Sequence, residues 1–476
     1  MCRRSLSALL CSFFLTHYSA EAFPTEKSFN ARSQAKQLDA VATSIEPAYT
    51  YLLLGGTGHI GTAVAHHLLI RQPQSILHLV GRNAATGQCV LLDLKAQHPH
   101  AQIEFHAVVD IWKAQELQRM LELFSVDCVI HTAGPYAHRT PLPLTGCRVY
   151  VDVADPLPYL EQALLRKGGN TTALVAAGAF PGMSNVLGVE AVAQLDPQRT
   201  IQSLRFQYFT AGLGGSGPVN LFITNVGFGD PMTQYDGGVL RFFMELSGRL
   251  LGKVDFFLPQ VPEHLQKAND RVRERVGTKQ VFAWPFPEAA TVPTILKDAT
   301  DSFRWRRIDS SAAMGTAPDV WNTMLGVLVQ LIPRAWWRKE RFSHFLADFS
   351  QPLVSATDAW LKWKDPFANG ETHAMRIDAT LDDQSGISIV QAHDSFRQCV
   401  AQSCAEFAMD CLEYPDPGTV SLPEQRYADP VARQRIIEKL TTTPGTFCYT
   451  GPVSLQRIDG PTQLQEALEK AKQTER

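Results

Sequence analysis

The sequence lacks several things that would assign it quickly. It has no block of basic residues, and its 44 Lys and Arg against 47 Asp and Glu leave a net charge of −3. That argues against nucleic acid as a partner. No internal repeat or low-complexity tract interrupts it. No apolar run is long enough to cross a membrane, so no spanning segment is expected in the mature protein. Its nine cysteines, Cys2, Cys11, Cys89, Cys128, Cys147, Cys399, Cys404, Cys411 and Cys448, show no metal-like spacing, and no metal site is expected. Loss of the first two with a cleaved N-terminus leaves an odd number, which points to unpaired thiols in a reducing compartment. What remains is a chain of 476 residues, 45% apolar, long enough for two or three domains.

Arg3 and Arg4 precede an apolar stretch, Leu6 to Leu15, and then Ala20-Glu21-Ala22. This is the pattern of a signal peptide with an A-x-A cleavage site, over residues 1–22. Phe23 would follow the cut. Residues 23–47 hold Lys27, Arg32 and Lys36 among small and polar residues, though Glu26, Asp39 and Glu46 depart from an acid-poor transit sequence. A signal peptide followed by Phe and a mildly basic segment resembles the bipartite plastid presequences of algae with secondary plastids. A plastid location is expected, with the secretory pathway as the alternative.

Residues 51–61 organise the chain. Tyr51 to Leu54 form an apolar run, Gly55-Gly56-Thr57-Gly58-His59-Ile60-Gly61 a glycine-rich turn, and Ile60, Val64 and Leu68 recur every four residues. The order is strand, turn, helix. Gly56, Gly58 and Gly61 fit G-x-G-x-x-G, and Gly55, Gly58 and Gly61 fit G-x-x-G-x-x-G. Such glycines allow a tight turn, close approach to a pyrophosphate, and close packing of helix on strand. The helix N-terminus then offers free N–H groups to phosphates. The same pattern also serves ordinary strand-to-helix turns.

A second strand, 76–80, ends at Gly81-Arg82 where a NAD-preferring site would place Asp or Glu. Arg82 suits a 2′-phosphate and an adenine face, so NADP is the expected cofactor. A third strand, 103–109, ends at Asp110, which either reaches the adenine or caps the next helix. The fourth, 126–132, runs into Ala133-Gly134-Pro135-Tyr136; the first two are small enough for close approach by the nicotinamide ribose, and Pro135 continues that turn. Tyr136 and His138 follow, and a fifth strand, 148–153, is followed by Asp155. Tyr136, His138 and Asp155 are the proton-donor candidates. A sixth strand, 172–177, completes an alternation of strand and helix. The expected fold is α/β, a Rossmann-type doubly wound parallel sheet over 48–195, with a second α+β domain over 196–395.

The glycine turn, His131-Thr132-Ala133-Gly134-Pro135-Tyr136, Val151-Asp152-Val153-Ala154-Asp155 and Gly178-Ala179-Phe180-Pro181-Gly182-Met183-Ser184-Asn185 resemble the saccharopine dehydrogenase (NADP-binding) family, in its less characterised branch of plants, algae and bacteria. Gly214-Gly215-Ser216-Gly217-Pro218, Trp284-Pro285-Phe286-Pro287-Glu288-Ala289 and Gly315-Thr316-Ala317-Pro318-Asp319-Val320-Trp321-Asn322 extend the resemblance, which spans roughly residues 50–425. The resemblance implies an NADP-dependent oxidoreductase that moves a hydride to or from a C=O, C=N or amine of a small molecule. It also implies that a helix at 396–413, with Val400, Cys404, Phe407 and Cys411 on one face, returns to the nucleotide-binding domain. The saccharopine-forming reductases carry Asp-Pro-Gly followed by Asp-His; here Phe180-Pro181-Gly182 and Ser184-Asn185 stand instead, which removes the acidic groups and argues against saccharopine as substrate. No Tyr-x-x-x-Lys pair of the short-chain dehydrogenase type follows the fourth strand. The alternative reading is a non-enzymatic NADP-binding redox sensor or scaffold.

In the second half, strands are expected at 200–212, 279–283, 303–309, 372–380 and 386–393, and helices at 318–333 and 335–363. The first of these helices is expected in the core or in a homodimer contact. Beyond residue 426 a C-terminal extension holds a helix at 429–440, a strand near 446–449 and a polar helix from about 461.

Overall fold

A computed structural model describes residues 48–453 apart from 109, 143–145, 213–217, 300–302 and 365–369. The signal and transit segments, the Gly214–Gly217 loop and the helix expected from about 461 lie outside the described residues.

The first domain alternates strand and helix. β1 (Thr50–Leu54), α1 (His59–Arg71), β2 (Ile76–Gly81), α2 (Ala84–Gln97), β3 (Gln102–Ala107), α3 (Ala114–Phe124) and β4 (Cys128–His131) form its first half. β5 (Val149–Asp152), α4 (Leu157–Leu164), β6 (Thr172–Leu174) and α5 (Met183–Ala193) follow. The second domain opens with β7 (Ile201–Ala211), α6 (Pro218–Gly227), the hairpin β8 (Met232–Asp236) and β9 (Val239–Phe243), and β10 (Leu250–Asp255). It continues with α7 (Glu263–Arg275), β11 (Thr278–Ala283), α8 (Glu288–Ala299), β12 (Asp309–Ala317), α9 (Asp319–Leu331), α10 (Arg334–Trp337) and α11 (Glu340–Lys364). β13 (His373–Leu381), β14 (Gly386–His393), α12 (Phe396–Glu413), β15 (Val420–Ser421), α13 (Pro423–Arg426), α14 (Pro430–Thr441) and β16 (Thr446–Pro452) end the described chain.

The first sheet has the order β15-β6-β5-β4-β1-β2-β3 and is parallel throughout. Strand order reverses between β1 and β4, where open α/β sheets form their ligand crevice. Side chains alternate across it. Tyr51, Leu53, Leu77 and Ile130 face a core shared with α1 and α12, while Leu52, Leu54, Val80 and Val129 face one with α3 and α4. A strand buried on both faces must be apolar at every position, which explains the unbroken Tyr51-Leu52-Leu53-Leu54.

The second sheet is mixed, in the order β10-β11-β12-β7-β13-β14-β16. The strand expected at 303–309 is not there. Residues 303–307 turn, and the strand is β12, pairing parallel with β7 from Asp309 onward. Its Asp-Ser-Ser-Ala-Ala-Met-Gly-Thr-Ala has low strand propensity; pairing on both sides, with β11 and β7, overrides that preference. The C-terminal residues are integral rather than appended. β15 joins the first sheet beside β6, β16 lies along β14, and α14 packs against α12 and α5.

α12 lies against α1 and β5. It is buried on every side from Cys399 to Leu412, not along the single face that its Val400-Cys404-Phe407-Cys411 stripe suggests. Its polar residues are paired: Glu406 with His67 and Arg71, and Asp410 with Tyr427 and Arg435. The core beside it runs without a break into β7 and β13 of the second sheet through Leu204, Phe206, Met375 and Ile377. All seven described cysteines are free, and Cys128, Cys399, Cys404 and Cys411 are buried.

Among the described residues no helix is long and apolar enough to cross a membrane. α9 buries Asn322, Gly326 and Val329 and exposes Val320, Met324, Val327 and Leu331 on its other side. It is therefore a surface helix and not a core one.

Two buried carboxylates tie the domains. Glu288 of α8 accepts hydrogen bonds from Ser184 of α5 and Tyr208 of β7, each 2.8 Å. Asn185 donates to Glu424 of α13, also at 2.8 Å. Burial pushes the Glu288 carboxyl up to about 7. A folded-state value above the unfolded one means that its stabilisation is complete below the unfolded value and is lost as pH rises through the folded value. Glu288→Gln keeps an acceptor for both bonds and removes the titration. Its stability, from urea unfolding between about pH 5 and 8, should fall less steeply with pH than that of the native chain, by up to ~1.4 kcal/mol per pH unit. Parallel curves would refute this.

Candidate functional site

A cavity of about 760 Å³ opens at the carboxyl ends of β1, β4, β5 and β6, below the strand-order reversal. One wall is the glycine turn. Gly55 has φ +80°, and a Cβ there would stand 2.8 Å from the Ala133 nitrogen. A Cβ on Gly61 would stand 2.2 Å from the Gly55 oxygen, so α1 can pack this close to the turn only with glycine. Gly58 differs. Its φ of −81° suits any residue, and a Cβ would meet only the Gly55 oxygen, at 3.2 Å. Its side-chain space belongs to the cavity, so backbone strain gives no reason for glycine there and ligand space does.

Gly58 caps α1 with no side-chain hydrogen bond, and the first turn holds no acidic residue. The N–H groups of His59, Ile60 and Gly61 have no carbonyl of their own helix to bond. They face the cavity with the positive end of the helix dipole, which fits a pyrophosphate. A cradle with room beside Gly58 and helix N–H groups facing it together fit a nicotinamide dinucleotide.

Of the residues singled out in the sequence, Gly55, Thr57, Gly58, His59, Ile60, Gly61, Arg82, Asp110, Ala133, Gly134, Pro135, Tyr136 and Asp155 line this one cavity. Gly56 and His138 do not. Gly56 instead donates its N–H to the Leu53 and Val80 carbonyls behind the turn. His138 is exposed, in a left-handed conformation with φ 60°, and does not line the cavity. Arg82 stands exposed at the rim and forms no ion pair within the described residues. Asp110 lines the cavity, and its Oδ1 accepts the Trp112 N–H at 3.1 Å; it does not cap the next helix, whose N-cap is Lys113.

The proton-donor candidates separate. The Tyr136 hydroxyl is buried and donates to the His131 carbonyl, while its ring packs edge-on against Trp112 and Tyr159. Burial raises that hydroxyl well above its ordinary range. It holds the wall and has no proton to offer the cavity. Asp155 is half-buried beyond the end of β5, and burial, reinforced by Asp230 and Asp152, pushes its carboxyl up to about 6. Beneath it Asp152 is fully buried; its Oδ1 accepts the N–H groups of Ala154 and Ala176 at 3.1 and 3.0 Å. That clamp fixes the ends of β5 and β6 and so places Asp155.

The far wall was not legible in the sequence. Phe180, Trp284, Phe286, Met314, Phe396 and Val400 supply it. Phe180 is its centre, stacked on Tyr208 at 4.4 Å and on Phe396 at 4.9 Å, with Phe286 edge-on at 5.3 Å. Asn220 and Thr224 of α6 add polar groups. Ser184 and Asn185, in the place of the Asp-His of the saccharopine-forming reductases, are buried outside the cavity on Glu288 and Glu424, while Phe180, in the place of their other Asp, lines it.

Residues 49–145, from just before β1 to just past β4, match the family model of the KR domain. No match among curated proteins was found. Solved structures similar to part of the chain include an NADPH-bound short-chain oxidoreductase with an atypical catalytic center from Pseudomonas aeruginosa. It is 13% identical, over 27% of this chain and 55% of that one, with a TM-score of 0.18. A ketoreductase domain from the bacillaene assembly line is 19% identical, over 24% and 34%, with a TM-score of 0.18. A short-chain type dehydrogenase/reductase from Mycobacterium ulcerans is 18% identical, over 31% and 62%, with a TM-score of 0.19. The chain thus spans between a third and two thirds of the length of these structures, and likeness this partial says nothing of what it acts on. The nucleotide-binding half is of the NAD(P)-dependent oxidoreductase type.

Gly58→Val should leave the fold intact and remove nucleotide binding, because φ and packing tolerate it and the phosphate does not. Gly61→Val should unsettle α1 itself. Circular dichroism and nucleotide-quenched tryptophan fluorescence separate the two; a folded Gly58→Val chain with native affinity would take the turn out of the site.

Proposed function

We propose that this chain is an NADP-dependent oxidoreductase, similar to saccharopine dehydrogenase-like proteins, acting on a C=O, C=N or amine group of a largely apolar small molecule. The observation that carries the reading is the two-sided cavity. A phosphate cradle and the ends of β4 and β5 form one side, and an aromatic wall from both domains forms the other. When bound, the nicotinamide gives or takes the hydride. The chain does the rest. The N–H groups of α1 hold the pyrophosphate, and Ala133 and Gly134 leave room for the ribose. The Phe180 cluster excludes water and packs the apolar part of the substrate. Asp155 supplies or accepts the proton. Of the two residues in place of the missing acids, Phe180 lines the cavity with an apolar ring and Ser184 does not line it, so saccharopine finds no acidic group there. NADPH oxidation with a panel of aliphatic and aromatic carbonyls, beside keto acids with amino acids, tests the proposal. Tight NADPH binding with no oxidation of any of them would favour the sensor or scaffold alternative.

Arg82→Asp should weaken NADPH binding about tenfold to more than a hundredfold and spare NADH, since one charge-assisted phosphate contact contributes roughly 1.5–3 kcal/mol. Equal native affinities for both nucleotides, measured by calorimetry, would contradict it.

Asp155→Asn should lower turnover by roughly 10²–10⁴-fold while NADPH affinity holds. For the native chain, reduction should slow as pH rises through about 6, where the acid form is lost. An inflection that survives in Asp155→Asn would assign the proton to another group.

A further inference from the structure

We propose that His78, Glu104 and His106 form a binding site for one divalent transition-metal ion, of which Zn²⁺ fits best, on the outer part of the first sheet. His78 is in β2, and Glu104 and His106 are in β3. Their parallel register sets His78 beside Glu104 and Val80 beside His106. Glu104 and His106 are two residues apart on one strand, so they share a face.

Three donor atoms converge. His78 Nδ1 and His106 Nε2 are 3.0 Å apart, and Glu104 Oε2 is 3.5 Å from the first and 3.7 Å from the second. Ligand atoms bonded to one tetrahedral Zn²⁺ at ~2.0–2.2 Å stand roughly 3.3–3.6 Å from each other. The observed triangle lies about that size, and small side-chain rotations make it regular. The fourth direction is open, because the Glu104 side chain is 64% exposed. Two imidazoles, one carboxylate and a free position suit a borderline cation and not Mg²⁺ or Ca²⁺, which take oxygen ligands.

The imidazoles are also held in place. Phe124, the last residue of α3, stacks on His78 at 4.2 Å and packs tilted against His106 at 4.5 Å. One ring therefore backs both ligands and leaves their nitrogens directed at Glu104. Pairing spacing in the sequence gives no sign of this, since His78 and His106 are 28 residues apart and only strand register unites them. The ion would clasp β2 to β3 just before the positions that carry Arg82 and Asp110.

The test uses the tag-free chain after chelator treatment, titrated with ZnCl₂ by calorimetry and with Co²⁺ by visible absorption. One ion per chain is expected, with the intense Co²⁺ bands of four-coordination, and Zn²⁺ should raise the melting temperature by mass action. His106→Ala should weaken Zn²⁺ binding by more than the roughly 10–100-fold that outer-shell changes cost. Glu104→Gln, an exposed substitution, should weaken binding without unfolding; circular dichroism and NADPH affinity verify both variants. No Zn²⁺ binding by the native chain, or binding equal in both variants, would overturn the site and leave a His–His hydrogen bond alone.

Discussion

The structure depends on one buried carboxylate. Glu406 of α12 accepts from His67 at 2.8 Å and Arg71 at 2.9 Å, both on α1. α1 is the helix whose opposite end addresses the cavity. Its angle on the sheet is therefore set from behind, by a charge 2% exposed to water. The two partners of Glu406 differ: His67 is buried with it, while the Arg71 side chain is half exposed. Glu406 makes α12 part of the nucleotide site without touching it. Asp410, one turn further on, ties the same helix to Tyr427 and Arg435, so the chain that follows is anchored too.

The cavity is correspondingly a product of both halves. The first sheet supplies the polar floor, where dipole and glycine leave space for charge. The second supplies aromatic rings locked to each other through Phe180. Between them Asp152 fixes the strand ends, and burial raises both its carboxyl and that of Asp155 to about 6; of the two, Asp155 lines the cavity. Desolvation does this work: the same side chain in water would be ionised well below that.

Sequence alone made the nucleotide-binding half legible because every signal there is local. Fully buried parallel strands must be apolar throughout, and a glycine turn must precede α1. Ser395 even marks the start of α12 through its cap on Gln398. What failed was set by tertiary contacts. Tyr136 and His138 look equally apt as donors until the hydroxyl of one is seen to bond the His131 carbonyl and the other to lie outside the cavity lining. β12 is built of small residues whose strand character comes from two neighbours. The aromatic wall draws on β6–α5, β11–α8, β12 and α12, and no window of sequence contains it. Of the reasons a glycine suits position 58, room for the pyrophosphate is the one that fits, since its backbone is ordinary.

The first sheet is discontinuous in sequence. Its strands β1 to β6 are complete by residue 174, yet α12 and β15, which cover and extend it, come after every strand of the second sheet but β16. During synthesis at about 5–20 residues per second, the face of β4 and β5 that α12 will cover must wait more than ten seconds for its partner. The nascent first domain thus carries bare apolar surface while some two hundred further residues are made. Its folding is contingent on the end of translation, and a ribosome that stops early releases a chain that needs a chaperone rather than a smaller working domain.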